Sequence, residues 1–186
     1  FLQQKLQPKE GVIVTIPSDF EQYTKSAPKF ENKEAELAYF STKFSYKKED
    51  GKVVGKHQGA HYFTKGQRKG LNVGGTKEGL YVIETDVVEN VIYAGEGKSH
   101  KGLYRNVLFV ANEEIHWIRE DLALKSGETM QVDARIRYRQ ALDNATLYKV
   151  ESGLYVEFEN KQSAIQEGQF VAWYQNEELL GSGVIS

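Results

Sequence analysis

From Tyr81 to the end, the chain is broken into short apolar stretches by turn-forming residues, and no long helical period intervenes. The stretches are Tyr81 to Glu84, Val91 to Ala94, Asn106 to Val110, Met130 to Arg139, Thr146 to Val150, Leu154 to Glu159, Gln169 to Tyr174 and Leu179 to Ile185. Gly, Asn or Asp fills most gaps, as in Asp143-Asn144, Ser152-Gly153 and Glu167-Gly168. Strands this short bury a face only by pairing with their neighbours, and closing the sheet removes its exposed edges. The pattern therefore predicts an antiparallel β-barrel. Eleven Tyr and nine Phe suit it, since flat rings pack well on a pleated surface.

The first third reads differently. Val12 to Ile16 alternates as a short strand closed by Pro17, and Pro28 marks a second break. Asn32 is an N-cap for a helix running to Phe44, with Phe30, Leu37, Phe40 and Phe44 near one face. Asp50-Gly51 is a turn leading into Lys52-Val53-Val54. The expected organisation is mainly β: a small α+β domain over residues 1–86, then a barrel over 87–186, divided near Asp86 to Asn90. No apolar run approaches the ~20 residues of a membrane-spanning helix. No signal peptide is visible either, so a cytoplasmic protein is expected. The chain opens Phe1-Leu2-Gln3-Gln4 without an initiator Met, which predicts a processed or cut start. It contains no cysteine, which excludes disulfides, thiolate metal sites and thiol nucleophiles among these 186 residues.

The net charge of −2 conceals an asymmetry. Between Lys43 and Lys77, eight lysines and Arg68 against Glu49 and Asp50 leave +7, so the remaining residues carry −9. A cationic segment on an acidic protein reads either as a polyanion contact or as a solvated lysine-rich loop. Further on, strict alternation over Met130 to Arg139 sets Met130, Val132, Ala134, Ile136 and Tyr138 on one face. Arg135, Arg137 and Arg139 then share the other with Gln131 and Asp133. Three aligned guanidiniums need an anion opposite them. Phosphate fits their planar forks, and acids across the sheet, such as Glu157 and Glu159, are the alternative.

The segment Gly55 to Leu71, followed by Gly74-Gly75, has too many glycines for a continuous helix and permits close backbone approach to a partner. It lacks the spacing of a triphosphate-cradling loop, but it mixes aromatic and basic residues as RNA-contacting loops do. His57 and His61 are four apart, yet Gly59 breaks the helix that would align them and no further ligand completes a metal site; structural histidines are expected. The adjacent acids Glu113-Glu114 and Glu120-Asp121 point in different directions and suit a solvated face. No nucleophilic triad can be assembled from spacing.

Gly55-Lys56-His57-Gln58-Gly59 through Tyr62-Phe63-Thr64-Lys65-Gly66-Gln67-Arg68-Lys69-Gly70-Leu71 resembles the signature of the tRNA-specific 2-thiouridylases at every fixed position. Arg137-Tyr138-Arg139-Gln140 is similar to that family's R-Y-R-Q strand. Ala164 to Gln169, then Tyr174 and Leu180-Gly181-Ser182-Gly183-Val184-Ile185, resembles its closing motif, with Gln166-Glu167 in place of T-P and Ser182 in place of a Gly. Phe1-Leu2 looks like the F-L that follows the family's second catalytic cysteine. The resemblance implies a central domain and a C-terminal barrel, with residues 17–48 as an insertion. It also implies that the ATP-pyrophosphatase domain, its S-G-G-x-D-S loop and its two cysteines lie outside this chain, which alone would be inactive and hold no cofactor. ATP with magnesium, a sulfur-donor relay protein and tRNAs of glutamate, glutamine and lysine type are what it implies for the full-length enzyme, which thiolates the wobble uridine at position 34. Carried over by motif, the tRNA contacts would be Arg137, Tyr138 and Gln169, with Arg139 beside them. Lys65, Arg68 and Lys69 would meet either a second phosphate or the catalytic domain. Two other readings remain open: a stand-alone RNA-binding barrel, and a protein-interaction module meeting an acidic partner.

Overall fold

The structure is a computed structural model and describes residues 8–186; Phe1-Leu2 lies outside the described residues. The chain forms two compact units, one of residues up to Ala27 with Phe44–Leu103, the other of Pro28–Lys43 with Tyr104–Ser186. The division expected near Asp86 falls inside the first unit. There β3 (Leu80–Asp86) and β4 (Val91–Glu96) pair as an antiparallel hairpin. The residues read as a linker are its turn: Asp86 Oδ1 accepts from the backbone N–H groups of Val88 and Glu89 at 2.9 and 2.8 Å.

The first unit is a four-stranded sheet in the order β2-β1-β4-β3, with β1 (Gly11–Thr15) antiparallel to β2 (Lys52–His57) and parallel to β4. Ile13, Val82, Ile92 and Ala94 are its fully buried centre. The short helix α1 (Glu21–Thr24) brings Tyr23 against Phe44, ring centroids 4.9 Å apart.

The second unit is a curled antiparallel sheet of seven strands in the order β5-β9-β8-β7-β10-β11-β6. These are β5 (Tyr104–Ala111), β6 (Ile115–Trp117), β7 (Thr129–Arg135), β8 (Asp143–Lys149), β9 (Gly153–Ser163), β10 (Phe170–Gln175) and β11 (Glu178–Val184). The mainly β, barrel-like architecture is the one the strand pattern demands. The sheet curls until the tail of β11 reaches β5, where Ser186 N–H donates to the Phe109 carbonyl at 3.0 Å. Small residues make this curl possible: a Cβ on Gly181 would stand 2.6 Å from the His116 carbonyl, and one on Gly183 2.5 Å from Val110 Cγ1. Trp173, fully buried, packs edge-on to Trp117 in the interior.

The expected helix is α2 (Lys33–Ser41), capped as anticipated: the Asn32 side chain accepts from Ala35 N–H at 2.8 Å. It ends three residues early and belongs to the second unit, where Leu37 is buried with Val107 and Tyr155. Phe44, expected on its apolar face, belongs to the other unit. Asp143-Asn144, read as a turn, opens β8, and the three-residue β6 carries too little pattern to be seen. Among the described residues no helix is long and apolar enough to cross a membrane.

Candidate nucleic-acid interface

The strand expected over Met130 to Arg139 stops at Arg135. Its inward phase continues through Val132, Ala134 and Ile136, all buried, and then fails: Tyr138 is 86% exposed. Residues 137–140 form a turn closed by Gln140 N–H donating to the Arg137 carbonyl at 3.1 Å. The three arginines therefore do not line one face, and Tyr138 does not share the inward face of Val132 and Ala134, because both faces end before it.

Each residue of that turn has a separate task. Arg137 donates through both terminal nitrogens to the backbone carbonyls of Ser163 and Ala164, at 2.9 and 2.8 Å. This ties the turn to the end of β9, where Ala164 has φ +56°. The Gln140 amide meets Gln162, which in turn donates to Asp143 at 2.6 Å and to the Asn160 carbonyl at 2.9 Å. First and fourth residues are thus anchors, while Tyr138 and Arg139 point to solvent. Arg139 has no hydrogen bond or ion pair to any described residue. Glu157 and Glu159, the acids weighed as cross-sheet partners, are engaged elsewhere: Glu157 by Lys33 at 3.0 Å and Glu159 by Asn144 at 3.1 Å.

Arg135 sits opposite Ala172 in the pairing of β7 with β10. It donates to the Tyr138 carbonyl at 3.0 Å and to the Tyr174 hydroxyl at 2.9 Å, and it lies over both rings, 5.4 and 5.0 Å from their centroids. Together with Arg137, Tyr138, Gln169 and Phe170 these residues line an open cleft of about 600 Å³. No Asp or Glu lines it. Gln169 stands at its wall, and its Oε1 is buried without a hydrogen-bond partner. So Arg137, Tyr138 and Gln169, named from separate motifs, meet in one cleft. Sequence reasoning passed over Phe170 and Arg135 as parts of it. The available signal was a large aromatic on the solvent phase of β10, whose opposite phase, Val171 and Trp173, is fully buried.

The glycine-rich segment is built inward. Gly66 N–H donates to the Val82 carbonyl at 2.7 Å, and Val82 N–H returns the bond to Gln67 at 2.9 Å, closing the segment onto β3. Ala60 and Leu71 enter the core beside Phe63 and Val73. Gly59, at φ +141°, supplies a backbone angle that side chains resist, and a Cβ there would stand 2.6 Å from the His61 ring. Buried Asn90 locks the arrangement by accepting from Ala60 N–H and donating to the Lys9 carbonyl, both at 2.9 Å. Lys65 is not displayed: its side chain is 8% exposed and faces Glu84 at 4.0 Å. The Arg68 guanidinium lies against Gly79, and Arg68 and Lys69 are exposed. The cationic excess is also partly neutralised, because Lys43, Lys48 and Lys56 pair with Glu167, Glu89 and Glu10.

His57 is buried, with Nδ1 accepting from Gly59 N–H at 3.0 Å. Burial disfavours its charged form and holds its pKa below the usual histidine value. His100 is buried likewise, bonded to the Ile16 carbonyl at 3.1 Å and to Gly102 N–H at 3.2 Å, and burial lowers its pKa too. The glycine-rich turns close on Val82 instead of opening at a helix start, and Asn32 occupies the N-terminus of α2.

A family model described as an aminomethyltransferase beta-barrel domain matches residues 109–185, and one described as a tRNA methyl transferase PRC-barrel domain matches residues 44–96. The chain is 62% identical over all 186 residues to the tRNA-specific 2-thiouridylase MnmA of Christiangramia forsetii and 60% identical to that of Flavobacterium johnsoniae, covering 47% of each. It is 39% identical over 134 residues to the one from Chlamydia trachomatis, 72% of this chain and 36% of that protein. The chain belongs to the tRNA-specific 2-thiouridylase family. It spans about half the length of the curated 2-thiouridylases it matches over its whole length. Within the family framework the cleft lies in the barrel domain, and the glycine-rich signature lies in the domain ahead of it.

Proposed function

We propose that the second unit is a tRNA grip: the cleft between the 137–140 turn and β10 holds RNA so that a wobble uridine reaches a thiolating active site elsewhere in the full-length enzyme. The observation that carries this reading is the division of labour in Arg137-Tyr138-Arg139-Gln140. Two residues are used to fix the backbone, and the two between them, an aromatic and a free guanidinium, are left in solvent. A turn anchored on both sides that displays one stacking group and one cation suits RNA, whose recognition combines phosphate contacts with stacking of unpaired bases. Arg139 would meet phosphate and Tyr138 a base or ribose. Arg137 orients both through the Ser163 and Ala164 carbonyls. ATP-dependent 2-thiolation, a sulfur-relay partner and preference for glutamate, glutamine or lysine tRNAs belong to the same proposal and rest on family membership.

The test is fluorescence anisotropy of the chain with unmodified tRNA of glutamate type across a salt series. Neutralising two or three phosphates gives a slope of log affinity against log salt of roughly −2 to −3, and Arg139→Gln reduces its magnitude by about one. Absence of binding at low salt would refute the grip.

A further inference from the structure

Strand alternation places Phe170, Ala172 and Tyr174 on the outer face of β10, because Val171 and Trp173 point into the core and are fully buried. Same-face neighbours on a strand stand roughly 6.6 Å apart. Ala172, with one methyl, therefore leaves a notch between two aromatic rings. Tyr174 is already covered, since Arg135 lies over its ring and bonds its hydroxyl. Phe170 is not: it is 64% exposed and makes no ring or cation contact with any described residue. Leaving an unpartnered phenyl ring in water forgoes the stabilisation that burial would give it.

We propose that Phe170 is the stacking platform for one unpaired RNA nucleobase, held in the notch over Ala172. This inference rests on the RNA-binding reading above and adds what occupies the cleft and which residue receives it. Three features favour a base over other occupants. Its flat π-face matches Phe170, and such stacking tolerates any base. Its edge N–H groups match the carboxamide of Gln169 in the cleft wall, whose oxygen makes no hydrogen bond within the chain and is an acceptor that neither a phosphate nor an aliphatic side chain would satisfy. Its phosphate matches Arg139, while Arg135 is held by Tyr138 and Tyr174 and acts as the fixed wall of the notch. Gln169 is adjacent to Phe170 in the chain, so platform and acceptor move as one piece. An acidic protein partner would engage the arginines but would need neither the exposed ring nor the acceptor.

The experiment uses the whole chain and a short single-stranded RNA carrying 2-aminopurine, whose fluorescence falls on stacking, beside the tRNA titration. The parent chain quenches the probe on binding. Phe170→Ala abolishes the quench and weakens binding by about 5- to 150-fold, the range for loss of one stacked base, with the salt slope unchanged. Phe170→Trp retains both, while Phe170→Leu, apolar but without a π-face, behaves like the alanine variant. The thermal midpoint stays within a degree or two of the parent in all three, as for an exposed side chain. If Phe170→Ala binds and quenches like the parent while Arg139→Gln still weakens tRNA binding, the platform is wrong and the grip stands. If the parent chain binds neither RNA, both are wrong.

Discussion

The glycine-rich loop of the first unit and the Arg137–Gln140 turn of the second both carry family motifs with basic and aromatic residues, yet they use them in opposite ways. The loop turns inward: Ala60 and Leu71 join the core, Lys65 faces Glu84, and two residues, Gly66 and Gln67, are bonded to β3. The turn faces outward, fixed by two side chains so that two others stay exposed. The longer motif, which identifies the family most readily, thus serves mainly to fold its own domain. In the proposed function, contact with RNA falls to the shorter one. Specificity of a motif in sequence and proximity to function are separate properties.

This contrast can be broken by substitution. The largest effect belongs to the loop's core residue: Leu71→Ala should destabilise the first unit by about 2–5 kcal/mol, read by urea unfolding, while tRNA affinity of the folded chain is retained. An affinity loss without destabilisation would reverse the assignment of the loop. Acid should act on the first unit too. His57 and His100 are kept neutral there by burial, so below about pH 6.5 the unfolded chain binds protons that the folded unit refuses. Stability of that unit then falls as pH drops from about 6.5 towards the lowered folded values, by at most ~1.4 kcal/mol per pH unit for each histidine. Thermal melts between pH 7.5 and 5 check this, and a flat profile would mean that neither histidine is held neutral. The smallest effect is expected at Lys69→Ala, exposed and unpaired among the described residues: stability within about 0.5 kcal/mol of the parent and an unchanged salt slope for tRNA. A slope reduced by about one would give the loop a phosphate contact after all.

Strand identity was legible wherever alternation was long, as in β7 and β10, because burial on one face enforces a period of two. The pattern failed where local geometry outranked it. Residues Arg137 to Arg139 continue the alternation by letter, but side-chain bonds from Arg137 to Ser163 and Ala164 and from Gln140 to Gln162 hold them in a turn, and no periodicity encodes such partners. The division between units was misplaced for a similar reason: Val87 to Asn90 has the composition of a linker, and the Asp86 carboxylate makes it a hairpin. Of the cleft, Arg137, Tyr138 and Gln169 were available from motif resemblance, whereas Phe170 and the bracing of Arg135 needed the register of β7 on β10. Pairing of Lys65 with Glu84 was invisible for the same reason, since the two meet only across the folded loop.

Photocrosslinking of the chain to 4-thiouridine-substituted tRNA, with the attached peptides mapped, tests the central contrast most directly. Crosslinks are expected within 135–140 and 168–174 and none within 56–79. Crosslinks concentrated in 56–79, with the β7–β10 cleft unlabelled, would contradict it and make the glycine-rich loop the RNA contact.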